Sequence, residues 1–199
     1  MFEQIYRKVI SNLENNLPTW LYYHSPEHTK YVLEKTIFLA EQERVSGRDL
    51  YLLKVAALYH DLGFIKGREE HEQKSCEIAA EELKEFDIST QENETICKMI
   101  MATKIPQQPK THLEKILADA DLEYLGTESF PEISEDLYKE LLHDRPNLSR
   151  QEWNEIQVKF LQDHSYHTNY CKVHCEAIKA AHLADLKKKV RKDTLPGTP

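Results

Sequence analysis

A His-Asp doublet, His60-Asp61, ends a stretch that is apolar almost all round: Leu52, Leu53, Val55, Ala56, Ala57 and Leu58 precede it. A carboxylate at the end of a buried helix needs a partner, because an unpaired buried charge is costly. Two neighbours in one last helical turn can aim at a single point beyond the terminus. A divalent cation at that point takes the imidazole nitrogen and the carboxylate oxygen together. Two ligands hold an ion poorly, so more donors must come from elsewhere. His28 lies in the first turn of an earlier helix. Asp121 lies in Leu117-Ala118-Asp119-Ala120-Asp121-Leu122, where two acids interrupt an apolar face.

Helices must position these residues. Phe2, Ile5, Tyr6, Val9, Ile10 and Leu13 recur at helical spacing and stop before Leu17-Pro18. Ser25-Pro26 reads as an N-cap followed by Pro at the first helical position, opening a helix through Tyr31, Val32, Lys35 and Leu39. Asp49 is expected to cap a third helix, which ends at His60-Asp61-Leu62 with Gly63 as its stop. Further helices are expected from about Glu69 to Phe86, from Ser89 or Thr90 to Thr103, through Leu113, Ile116, Leu117 and Leu122 to Gly126, and from Pro131 to about Leu142. Ser149-Arg150-Gln151-Glu152 is a capping box, and a last long helix follows Thr168 and fades into Lys187 to Lys192. Nothing alternates with period two. The expected fold is all-α, a single-domain helical bundle.

Composition agrees. The 199 residues are 40% hydrophobic and 30% charged with only 5 Gly, which favours long helices with short connections over a turn-rich β fold. The net charge of −8 gives no general pull toward nucleic acid or an anionic membrane. No run approaches the roughly 18 apolar residues of a membrane span. The start, Met1-Phe2-Glu3-Gln4-Ile5-Tyr6-Arg7, has no apolar signal core, and the 4 cysteines are scattered. A reduced, cytoplasmic protein is expected, with monomer and homodimer both open.

The order His, His-Asp, Asp in an all-helical chain resembles the HD superfamily of metal-dependent phosphohydrolases. Tyr23-His24-Ser25-Pro26-Glu27-His28 resembles its tyrosine-His segment ending in the first ligand, and Ala56 through Phe64 resembles its core motif. His71-Glu72 with Ser75 and Ile78-Ala79 resembles the His-Glu helix that often follows, and Asp119 through Gly126 the last ligand segment. The resemblance covers residues 20 to 130, with the helices of 131 to 192 expected to pack on that core. It implies one divalent ion (Mn, Fe, Co, Ni, Zn or Mg) held by His28, His60, Asp61 and Asp121. It further implies hydrolysis of a phosphomonoester or phosphodiester of a nucleotide or related small molecule, by water that the ion activates and whose proton Asp61 accepts. Asp121 is preferred to Asp119 because the family's ligand usually follows Ala and precedes an apolar stretch; Asp119 could instead orient a ligating histidine.

The resemblance also gives His71 and Lys104 a phosphate contact each. A second ion at His71 is the weaker reading, since only His112 lies between His71 and the last Asp. Lys66 and Arg68 read as solvated loop charges. No acid closely follows His60-Asp61, unlike the 5′-deoxynucleotidase and guanosine-tetraphosphate hydrolase branches, and the Gly-Tyr-Pro motif of the cyclic-dinucleotide branch is absent. What remains is a small stand-alone phosphohydrolase, with a ligand-binding or regulatory module that has lost turnover as the alternative. His167, Cys171, His174 and Cys175 share one helical face, but a single helix cannot wrap an ion tetrahedrally, so small buried hydrophobes are expected there. The basic run Lys187 to Lys192 is read as a solvated helix end.

Overall fold

The computed structural model describes residues 1–194, with side chains to 191. Its helices are α1 (Phe2–Asn16), α2 (Pro26–Gln42), α3 (Gly47–Tyr59), α4 (His71–Glu82), α5 (Thr90–Met101), α6 (His112–Leu122), α7 (Phe130–Asp144), α8 (Arg150–Asp163), α9 (Asn169–His174) and α10 (Glu176–Thr194). No strand occurs among the described residues, so the fold is all-α. No described helix is long and apolar enough to cross a membrane.

The apolar run 52–59 makes α3 the central element, because a helix without a polar face is stable only when surrounded. It packs against α1, α2, α5 and α6, and its residues from Val55 to Tyr59 are fully buried. Local signals set the helix starts around it. Ser25 accepts the His28 N–H. Ser89 with Glu92, Thr111 with Glu114, and Ser149 with Glu152 form reciprocal capping boxes, each stabilising its helix by about 1 kcal/mol.

A smaller apolar cluster of Tyr23, Leu122, Tyr124, Leu125, Phe130, Leu161 and Leu186 joins the end of α6 to α7, α8 and α10. The C-terminal helices therefore stand beside the ends of α3 and α6, where the candidate ligands lie.

Three local expectations are corrected. Ser46, not Asp49, precedes α3, and Asp49 is an acid in its first turn. Gly63 is not a stop: it lies inside a short 3-10 turn, Leu62–Lys66. Its role is close approach, because a Cβ there would sit 2.0 Å from the His71 carbonyl oxygen. The last helix is two, α9 and α10, broken at Cys175. At that point the chain is pressed on Gly126, whose added Cβ would lie 2.5 Å from Cys175 atoms.

Candidate metal centre

Three chain segments converge at one point. The Ser25 cap starts α2 so that His28 falls in its first turn and is buried. His60 caps the end of α3 with its side chain fully buried, and Asp61 leaves the helix with φ −107°. Asp121 is the next-to-last residue of α6. His28 Nε2 lies 3.1 Å from Asp121 Oδ1 and 3.5 Å from Asp61 Oδ2. His60 Nε2 lies 3.2 Å from Asp61 Oδ2 and 3.6 Å from Asp121 Oδ1. Ligand atoms of His28, His60 and Asp121 all fall within 4.8 Å of one another; Asp61 is outside that set but within reach of both histidines.

The donor set fits a divalent ion. His60 Nδ1 donates its hydrogen to the Ala57 carbonyl at 2.8 Å, which leaves Nε2 with a lone pair turned to the carboxylates. That Nε2 and Asp61 Oδ2 are buried with no hydrogen-bond partner among the described residues. Two orphaned acceptors a few ångströms apart are costly unless a cation lies between them. The carboxylates make this point favour positive charge, a proton on the ring where no ion is bound. Burial by itself would lower the His60 imidazole, but Asp61 and Asp121 outweigh it and hold the ring well above its ordinary pKa. Burial would raise Asp121, yet His28 and His60 hold it down at about 2. Asp61 is likewise held well below the usual range, by His60 and His71 against its burial.

The start of α4 adds His71. Its Nδ1 donates to the Arg68 carbonyl at 3.2 Å, and its Nε2 lies 3.3 Å from Asp61 Oδ1. Ser75 locks this helix to the doublet: its hydroxyl accepts the Gly63 N–H and donates to the His60 carbonyl, both at 2.8 Å. Asp61, His71 and Asp121 line one end of a cavity of about 270 Å³. The rest of its wall is largely apolar, including Leu122, Phe130, Leu137, Trp153 and Phe160.

Residues 27–123 match the HD domain. The chain carries an HD domain. Its fold is similar to that of a predicted HD superfamily hydrolase from an uncultured Thermotogales bacterium, with 17% identity over 94% of this chain and 91% of that one and a TM-score of 0.62. It is also similar to Bacillus subtilis YpgQ, solved in complex with ADP, with 18% identity over 99% of both chains and a TM-score of 0.66. No curated protein matches the chain.

Other residues of this HD-domain protein take unexpected places. Asp119 lies on another side of α6 from Asp121 and serves α9: its carboxylate accepts the His167 N–H, the Thr168 N–H and the Thr168 hydroxyl. Lys104 is exposed and does not line the cavity, although Thr103 and Ile105 on either side of it do. Lys66 is exposed, whereas Arg68 is committed to Glu140 at 2.9 Å and Asp144 at 3.2 Å. Cys171 and Cys175 are buried in the main core, and His174 is exposed and stacks on Tyr170. Among the described residues, His28, His60 and Asp121 are the only set of three or more such side chains placed to hold an ion.

Three residues near the site carried no chemical role in the sequence reading. His24 lines the cavity and stacks on Phe64, which also contacts His71. Its Nδ1 lies 2.6 Å from the fully buried Glu140, which also accepts the Tyr23 and His24 N–H groups. Glu72 lines the cavity 3.5 Å from His71 Nε2. His24 could have been noticed four residues before His28; Glu140 has no local signal, standing 116 residues away.

Proposed function

We propose that this chain is a metal-dependent phosphohydrolase. Two buried histidines and two buried carboxylates facing one another, with His60 Nε2 and Asp61 Oδ2 otherwise unpartnered, are the observation that supports this reading. His28, His60, Asp61 and Asp121 hold one divalent ion, of the group Mn, Fe, Co, Ni, Zn or Mg. When bound, the ion polarises a phosphoryl oxygen and acidifies water. His71 hydrogen-bonds a phosphate oxygen from the cavity side. Asp61, whose Oδ1 faces His71 Nε2 at 3.3 Å, accepts the proton of the attacking water. The chain works as one domain, with α7 and α8 forming the outer wall of the cavity.

The cavity wall supports a reading of the substrate class. Among the described residues neither Lys nor Arg lines it, so phosphate charge is met by the ion and by the histidines His24 and His71. Such a site suits a phosphate ester with an organic body that the apolar wall can cover. YpgQ was solved with ADP, which favours a nucleotide-type ligand here as well.

The test is metal analysis of protein purified without added metal, beside His60→Ala and Asp121→Ala, with a panel of phosphomonoesters and of cyclic and linear nucleotides. Near-stoichiometric metal in the parent, loss in both variants, and metal-dependent turnover of a panel member are expected. Unaltered metal content in the variants would refute the ligand assignment. Bound metal with every panel member intact would replace the enzyme with a ligand-binding or regulatory module.

A further inference from the structure

The cysteines, all free thiols, fall into two pairs. Cys171 and Cys175 lie at the break between α9 and α10, and both are enclosed in the main core. Cys76 on α4 and Cys97 on α5 differ from them: Cys76 is buried, but Cys97 beside it is partly exposed. No local signal joins the second pair, whose members stand 21 residues apart; the packing of α4 on α5 brings them together. On α4 the small residues Ser75, Cys76 and Ala79 are buried, which lets its backbone come close to its neighbours. Cys76 Sγ lies 3.5 Å from the Cys97 carbonyl oxygen, and Cys97 Sγ lies 3.7 Å from the Cys76 carbonyl oxygen. Each side chain thus crosses the gap between the helices to the other residue's backbone. Two cysteines can be bridged only where backbones approach this closely.

The two sulfurs are not equivalent. A hydrogen bond from the Cys76 thiol outweighs partial burial and holds the Cys97 thiol below its ordinary pKa. The same contact, with burial, pushes the Cys76 thiol up. The thiolate is the nucleophile, so the thiol that is both more easily ionised and more exposed reacts first. Cys97 is that thiol, and Cys76 stands where a resolving thiol is needed.

We propose that Cys76 and Cys97 are a redox-modification site, at which hydrogen peroxide oxidises Cys97 and Cys76 resolves it to a disulfide that staples α4 to α5. The Cys97 thiolate attacks one peroxide oxygen and the O–O bond breaks. The departing hydroxide takes up the proton that Cys97 released and becomes water, leaving a sulfenic acid on Cys97. Cys76 then attacks that sulfur; the S–O bond breaks, the S–S bond forms, and the oxygen leaves as a second water with the Cys76 proton. Two thiols and one peroxide give one disulfide and two waters, the sulfurs losing the two electrons that the peroxide gains. The staple forms on the helix that carries His71, next to Ser75, whose hydroxyl holds the Gly63 N–H and the His60 carbonyl.

The test is peptide mapping by mass spectrometry of the reduced full-length protein, treated with hydrogen peroxide and then denatured and alkylated without reductant. Trypsin cuts after Lys74, Lys84 and Lys98, which puts Cys76 and Cys97 in separate peptides. These two peptides are expected joined, at their summed mass less two hydrogens, and separated by dithiothreitol, with Cys171 and Cys175 recovered alkylated. In Cys76→Ser, dimedone should trap a sulfenic acid on Cys97; in Cys97→Ser, Cys76 should stay unlabelled. The linkage is read on the unaltered protein, so misfolding of a variant cannot obscure it. Recovery of Cys76 and Cys97 in separate alkylated peptides after peroxide would overturn the site. So would a link to Cys171 or Cys175, or a link found only between two molecules on a non-reducing gel. Dimedone on Cys76 of Cys97→Ser would overturn the order of attack.

Discussion

Asp119 and Asp121 are two residues apart on one helix, yet the proposed metal site predicts different dependences on metal for the two. Asp119 is fully buried, and its carboxylate takes the His167 and Thr168 N–H groups and the Thr168 hydroxyl. Replacing it with Ala strands two backbone donors. At about 1–3 kcal/mol for each unmet donor, the loss is about 2–6 kcal/mol. For a chain of this size, that lowers Tm by about 4–24 °C. The loss should be the same with EDTA and with Mn²⁺. Asp121→Ala removes a carboxylate whose neighbours are the two histidines of the site, so in EDTA its Tm should move by only a few degrees. At metal 100-fold above its Kd the parent gains about 2.7 kcal/mol, and Asp121→Ala should gain nothing. Differential scanning calorimetry with and without Mn²⁺, with elemental analysis of the same samples, reads both effects. An Asp119→Ala protein that melts like the parent but has lost its metal would reverse the assignment and refute the reasoning.

Further outcomes are expected. Gly63→Ala puts a methyl against the His71 backbone, which cannot yield like a flexible side chain; about 1–3 kcal/mol of stability should be lost by chemical denaturation, with KM raised through displaced His71 and metal affinity spared. His164 stays neutral in the fold down to about 3, whereas the unfolded chain binds that proton near 6.5. The folded pKa is therefore depressed, and stability falls as pH drops from about 6.5 toward 3, by up to about 1.4 kcal/mol per unit. Urea melts across that window should show a shallower fall in His164→Phe; an unchanged slope would contradict a neutral buried ring. Lys104→Ala should change KM less than twofold, because the side chain is exposed and off the cavity wall; a tenfold rise would restore its phosphate contact.

The helices and their starts were legible in the chain because both signals are local. Apolar spacing at 3.6 residues and caps such as Ser25, Ser89 and Ser149 act within a turn or two. The order of His28, His60-Asp61 and Asp121 was legible too, as was the reason to expect a cation at the doublet: the last two turns of α3 are apolar almost all round, so its end is buried where it packs. The rest depends on contacts between distant parts of the chain. Asp119 and Asp121 share their local surroundings and separate only because the His167-Thr168 backbone, 48 residues away, arrives at one side of α6 and His28 at the other. Lys104 stood near the site in sequence order, and the turn of its loop leaves Thr103 and Ile105 on the cavity instead. Gly63 read as a helix stop because Gly usually serves there; only the approach of α4 shows that it is needed for lack of a side chain. Glu140 holding His24, and Lys179 setting the tautomer of His164, follow from helices meeting across the fold. A single sequence carries each residue's chemical type and its near neighbours, whereas proton placement and partner choice in a buried site are set by groups that only packing brings within hydrogen-bond reach.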